Sequence, residues 1–131
     1  MAATYLDSSA IVKLAIAEPE SSALRRFLRG RTPLVSSALS RAEVQRALLF
    51  EGEPGTARGK AVLSRIDTVR VSDRVLNAAG TLQPASLRSL DAIHLATALL
   101  LGGDLGLVVT YDERMFEAAC ELGLKAQRPG Q

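Results

Sequence analysis

The sequence predicts an α/β fold with a mostly parallel sheet between helical layers. Two patterns carry this expectation. Apolar runs too short for helices recur at Thr4–Asp7, Leu34–Ser36, Val69–Val71 and Leu107–Thr110, and segments with helical spacing separate them. Strands separated by helices need crossover connections, which are right-handed and return the chain parallel to the strand it left. A hydrophobic fraction of 47% over 131 residues is enough for a real core and suggests one domain spanning 1–131.

The elements follow from local signals. Thr4–Asp7 reads as the first strand and Ser9–Ala17 as a helix whose start Ser8 or Ser9 would cap, with one of these hydroxyls also placed to steady the Asp7 carboxylate. Pro19 opens a second helix, Glu20–Gly30. After the strand Leu34–Ser36 come helices at Ala38–Glu51 and Thr56–Asp67, joined by the linker-like "EGEPGTARGK" (51–60). The strand Val69–Val71 leads to a helix after Ser72 and another from Leu90 to Leu101. The strand Leu107–Thr110, the helix Glu113–Leu122 and a short tail complete the chain. There is no internal repeat.

Composition narrows the function classes. Sixteen Lys and Arg against fourteen Asp and Glu give +2, a balance that by itself does not select nucleic acid as a partner. Thirteen of the cations are Arg, the side chain best shaped for forked contacts with phosphate. Cys120 is the lone cysteine, so no internal disulfide can form; this fits a reducing cytosol, and a buried, inert thiol is expected. Asp7 comes too early for a signal peptide. The apolar stretch "AIHLATALLLGG" falls short of the ~20 residues a bilayer span needs. A cytoplasmic protein with no membrane partner is expected.

Four acids sit where acids are costly or exposed to chemistry. In open parallel sheets, sites gather at the carboxyl ends of strands, and Asp7 and Asp112 fall at or just beyond such ends. In the helix "SALSRAEVQRALLFEG", Leu39, Glu43, Ala47 and Phe50 share a stripe, so Glu43 lies on an apolar face, where Arg46 could pair with it. Val44 and Leu48 lie opposite, which gives this helix apolar surface in two directions, one for the core and one for a second subunit. Asp91 opens a helix that is apolar almost all round, with Ser89 as a possible cap. Singly, each acid reads as a cap or an ion-pair partner. Crowded together, carboxylates raise one another's pKa, and a divalent cation relieves the conflict. All-oxygen ligation selects Mg²⁺ or Mn²⁺ over Zn²⁺. His94, the one histidine, reads as a packed or hydrogen-bonded residue.

Taken together, "YLDSSAIVKL" with Asp7, "SSALSRAEVQRAL" with Glu43, "LRSLDAIHLATALLLG" with Asp91 and "VVTYDERMFEAACELGL" with Thr110 and Asp112 resemble the PIN-domain ribonucleases, in particular the VapC toxins of bacterial toxin–antitoxin pairs. The pieces run in the family's order from Tyr5 to Gly123, with no departure at the four acids. The resemblance implies a three-layer α/β/α sandwich, endoribonuclease activity dependent on Mg²⁺ or Mn²⁺, a homodimer, and neutralisation by a cognate VapB antitoxin. In that reading Asp7 and Asp91 ligate the metal, Glu43 and Asp112 hold its waters or a second ion, and RNA is the substrate.

Without the four acids, sixteen cations face ten anions, an excess of six that suits a phosphate-rich substrate. Two rivals share the fold. A phosphoryl-accepting receiver domain also clusters acids at strand ends, but it needs a lysine at a late strand end. The lysines here are Lys13, Lys60 and Lys125. A non-catalytic PIN-like binding module would use the same acids as caps and salt-bridge partners and would have no reason to bind Mn²⁺.

Overall fold

The computed structural model describes residues 2–131. Its centre is a five-stranded sheet of β1 (Ala3–Leu6), β2 (Leu34–Ser37), β3 (Asp67–Val69), β4 (Leu105–Val109) and β5 (Ala126–Gln127), parallel throughout and ordered β3-β2-β1-β4-β5. The chain winds outward from β1 to β2 and β3, then returns to lay β4 on the other side of β1. The strand order therefore reverses between β1 and β4, which is where doubly wound sheets open a crevice.

Side-chain alternation along the strands divides the core into two layers. Leu6, Leu107 and Val109 face one side, against α1 (Ser8–Ala15), α2 (Ser21–Leu28), α3 (Ser40–Leu48) and α4 (Gly52–Leu63). Ala3, Tyr5, Val35 and Val108 face the other, against α6 (Ser89–Leu100) and α7 (Glu113–Glu121). The helix α5 (Asp73–Gly80) packs on α6. The expected three-layer α/β/α sandwich is the fold observed.

Several local expectations need correction. From Gly52 onward the linker-like segment is helical and makes up nine of the twelve residues of α4. A Cβ at Gly59 would lie 2.5 Å from Leu48 Cδ1 and 2.6 Å from Gln45 Oε1, so glycine there reflects close α3–α4 packing rather than a flexible joint. The third strand sits two residues earlier than Val69–Val71, because its pairing with β2 joins Asp67 to Val35 and Val69 to Ser37. The tail contains β5, two residues held by β4. Val44 and Leu48, both fully buried, belong to this chain's own core and cannot form a subunit seam. Beyond α3 the outward apolar residues are Leu49, 57% exposed, and Phe50, 93% exposed, so the stripe expected to bury Glu43 points partly to solvent. Cys120 is exposed rather than buried. Among the described residues no helix is long and apolar enough to cross a membrane.

Candidate active site

Asp7 follows β1 directly and caps α1 itself: its backbone is extended and its Oδ1 accepts the Ala10 amide at 3.0 Å. Neither serine is the cap that the sequence suggested. Ser9 Oγ donates to Asp7 Oδ1 at 2.6 Å and accepts the Tyr111 amide at 3.0 Å. Thr110 Oγ1 donates to Asp7 Oδ2 at 2.5 Å and accepts the Asp112 amide at 3.1 Å. These two hydroxyls tie the end of β1 to the end of β4 across the crevice. Only 3% of Asp7 is exposed. Burial pushes its carboxyl pKa above the ordinary value, and the hydrogen bonds from Ser9 and Thr110 only partly counter that.

Asp112 caps α7, accepting the Met115 amide at 2.9 Å through Oδ1. Glu43 projects from the first turns of α3. Ser8 Oγ donates to its Oε1 at 3.0 Å, and His94 Nε2 approaches the same oxygen at 2.7 Å. Arg46, the partner expected from helical spacing, makes no ion pair with it among the described residues. Asp91 lies in the first turn of α6. That helix starts without a side-chain cap, because Arg88 occupies the cap position and Ser89 is already helical.

The four acids therefore arrive from β1, α3, α6 and the β4–α7 junction, and they share one electrostatic field. Burial raises the Asp91 carboxyl pKa; Asp112, Asp7 and Glu43 add to the rise by repulsion, and His94 opposes it. Among the described residues no cluster of three or more His, Cys, Asp or Glu side chains stands arranged to hold a metal ion. The carboxylates differ in what they have free. Asp91 has no hydrogen-bond partner among the described residues, whereas Asp7 has donors on both oxygens.

The serine hydroxyl expected to steady Asp7 is that of Ser9, whereas the partners that hold Glu43 were not anticipated. Tyr5 is fully buried, and burial followed by the charge of Asp7 keeps its phenol un-ionised. Its Oη lies 2.7 Å from His94 Nδ1. Periodicity gives no sign of a Glu43–His94 contact, since the two residues are 51 apart in sequence.

The PIN domain family pattern matches residues 4–122. Ribonuclease VapC46 of Mycobacterium tuberculosis is 61% identical over 129 residues, covering 98% of this chain and 99% of its own length. Ribonuclease VapC47 of the same organism is 39% identical over 131 residues, covering 96% of each. Among solved structures, Mycobacterium tuberculosis VapC20, a sarcin-ricin loop cleaving toxin, superposes with a TM-score of 0.74 at 14% identity over 96% of this chain and 99% of that one. A toxin–antitoxin complex from Klebsiella pneumoniae gives 0.69 at 23% identity, over 86% and 89%. At those identities the two structures bear on the fold alone. With acids at the carboxyl ends of β1 and β4 in a parallel sheet, a PIN-domain match over residues 4–122 and full-length relatives that are VapC ribonucleases, this chain belongs to the PIN-domain family, among its VapC-type toxin ribonucleases.

Proposed function

We propose that this chain is a Mg²⁺- or Mn²⁺-dependent endoribonuclease acting in the cytoplasm as the toxin of a VapB–VapC pair. Asp7, Glu43, Asp91 and Asp112 are its catalytic acids, and Asp7 and Asp91 ligate the cation. The observation that carries this reading is Asp7 and Asp112 at the carboxyl ends of β1 and β4, with Asp91 near enough for them and Glu43 to repel it. Caps and isolated ion pairs would not need to repel one another.

The donor set fits a hard divalent ion. Mg²⁺ keeps several waters and takes one or two carboxylates rather than a closed protein cage, so two acids in direct contact suffice. A divalent cation, when bound, supplies water activation and charge neutralisation at phosphate. The chain contributes orientation. Asp7 is fixed by Ser9, Thr110 and the Ala10 amide; Asp112 is fixed by capping α7; Glu43 is fixed by Ser8 and His94. Because its one histidine is engaged by Tyr5 and Glu43, the chain offers no histidine pair to run attack by the RNA 2′-hydroxyl.

The purified protein should cut RNA with Mg²⁺ or Mn²⁺, stop in EDTA, and leave 5′-phosphate and 3′-hydroxyl ends. Cleavage undiminished by chelation, or cyclic 2′,3′-phosphate ends, contradicts the mechanism. Neutralisation by a VapB partner would follow if an arginine forked onto the acids, replacing the cation's charge and blocking phosphate entry.

A homodimer belongs to the same proposal, with its seam moved from Val44 and Leu48 to the exposed Leu49 and Phe50. Light scattering at micromolar concentration should give about twice the 13.9 kDa chain mass. Phe50→Ser should halve that mass and leave the fold intact, since an exposed substitution shifts stability by only about 0.5 kcal/mol or less. A monomeric wild type refutes the dimer.

A further inference from the structure

The Tyr5–His94–Glu43 row links the sheet to the acids. Tyr5 Oη stands 2.7 Å from His94 Nδ1, and His94 Nε2 stands 2.7 Å from Glu43 Oε1. His94 is 1% exposed, with the Tyr5 ring edge-on to it at 5.9 Å and 76° between planes. A carboxylate oxygen accepts hydrogen bonds and has no hydrogen to give, so the short contact to Glu43 requires the imidazole hydrogen on Nε2. The Tyr5 hydroxyl, which can donate or accept, meets Nδ1 whether or not that nitrogen carries a hydrogen. A ring bare at Nε2 would set two lone pairs against each other at Glu43. Ser8 supplies the second donor to Oε1, and Oε2 has no partner among the described residues. One Glu43 oxygen is thus anchored and the other left free.

We infer that His94, held through Nδ1 by Tyr5 and donating its Nε2 hydrogen to Oε1, is a positioning residue that aims the free oxygen of Glu43 at the cation site. The inference rests on the reading of the acids as that site. His94 touches neither substrate nor cation; it acts through Glu43, as outer-shell partners orient metal-binding carboxylates.

His94 is the only histidine, so the imidazole ¹⁵N spectrum of the metal-free protein reports this ring alone. A proton-bearing Nε2 is expected, and a wild-type ring bare at Nε2 overturns the inference. Two variants separate positioning from packing. His94→Gln retains a donor near the Nε2 position, and His94→Asn retains a partner for Tyr5 but leaves Glu43 without its donor. Both lose the ring and a similar amount of stability. The Asn variant should nonetheless bind Mn²⁺ and cleave RNA about 10- to 100-fold less well than the Gln variant, the usual cost of losing an outer-shell contact. Equal Mn²⁺ affinity in the two would make His94 merely structural. If wild type binds Mn²⁺ with Nε2 bearing a hydrogen yet cuts no RNA, the ribonuclease reading fails and the positioning role stands.

Discussion

Asp7 and Asp91 come from opposite sides of the same crevice and are held in opposite ways. Asp7 is almost wholly buried, and its oxygens accept from Ser9, the Ala10 amide and Thr110. Asp91 is half-buried, with no hydrogen-bond partner among the described residues and with Asp112, Asp7 and Glu43 repelling it. Hydrogen bonding can aim a carboxylate before any ligand arrives, but it uses up the lone pairs a ligand needs. The two acids divide that conflict. Asp7 gives up freedom for a fixed direction, and Asp91 keeps both oxygens free and depends on an arriving positive charge.

Replacing either acid tests this division, with the largest effects on activity. Asp7→Asn and Asp91→Asn should each lower the cleavage rate by roughly 10²–10³-fold, the scale of losing one electrostatic group at a reacting centre. They should differ in metal-free stability. The folded pKa of Asp7 is raised, so its protonated form favours the fold; that stabilisation is complete below the ordinary carboxyl value of 3.8 and disappears as pH rises through the folded pKa. In EDTA, wild type should therefore weaken on going from acid to neutral pH. Asp7→Asn should lack this contribution, so its advantage grows with pH and then levels off. Asp91→Asn should show the same sign with a smaller amplitude, because solvent screens its half-exposed carboxyl. Equal pH profiles for the two variants in denaturant melts would erase the distinction drawn here.

The order of elements and the placing of the four acids were legible because both rest on local patterns: short apolar runs, helical spacing, and acids at strand ends. What escaped was decided by distant contacts. Gly55 and Gly59 resemble a joint by composition, yet Leu48 and Gln45 of α3 make glycine at 59 a packing requirement. Val44 and Leu48 form a plausible outer seam on a helical wheel, yet α1 and α4 cover them. Glu43 has Arg46 one turn away, yet its partner is His94 on another helix. A serine after β1 looked like the cap, but the extended backbone at Asp7 lets the aspartate cap α1, which leaves Ser9 to steady Asp7 as expected of one serine and Ser8 to hold Glu43.

The smallest expected effects come from two serines that look alike in sequence, each beside the start of an acid-bearing helix. Ser9 is built into the fixed side of the crevice. Its hydroxyl donates to Asp7 and receives the Tyr111 amide, so Ser9→Ala leaves that amide unmet and leaves Asp7 Oδ1 with the Ala10 amide alone. A loss of about 1–3 kcal/mol is expected, the cost of leaving such groups unmet. Asp7 also loses a bond that favours its charged form, so its folded pKa rises further and the metal-free pH decline should extend to higher pH; an unchanged profile would mean Ser9 has no such role. Ser89 is exposed in the first turn of α6 and caps nothing. Ser89→Ala should move stability by no more than about 0.5 kcal/mol, in the stabilising direction if at all, because alanine is the better helix former. Urea melts of both variants in EDTA at neutral pH decide the matter. A Ser89→Ala loss as large as that of Ser9→Ala would mean that hydroxyls support both sides of the crevice alike, and the contrast between a fixed Asp7 and an open Asp91 would fall.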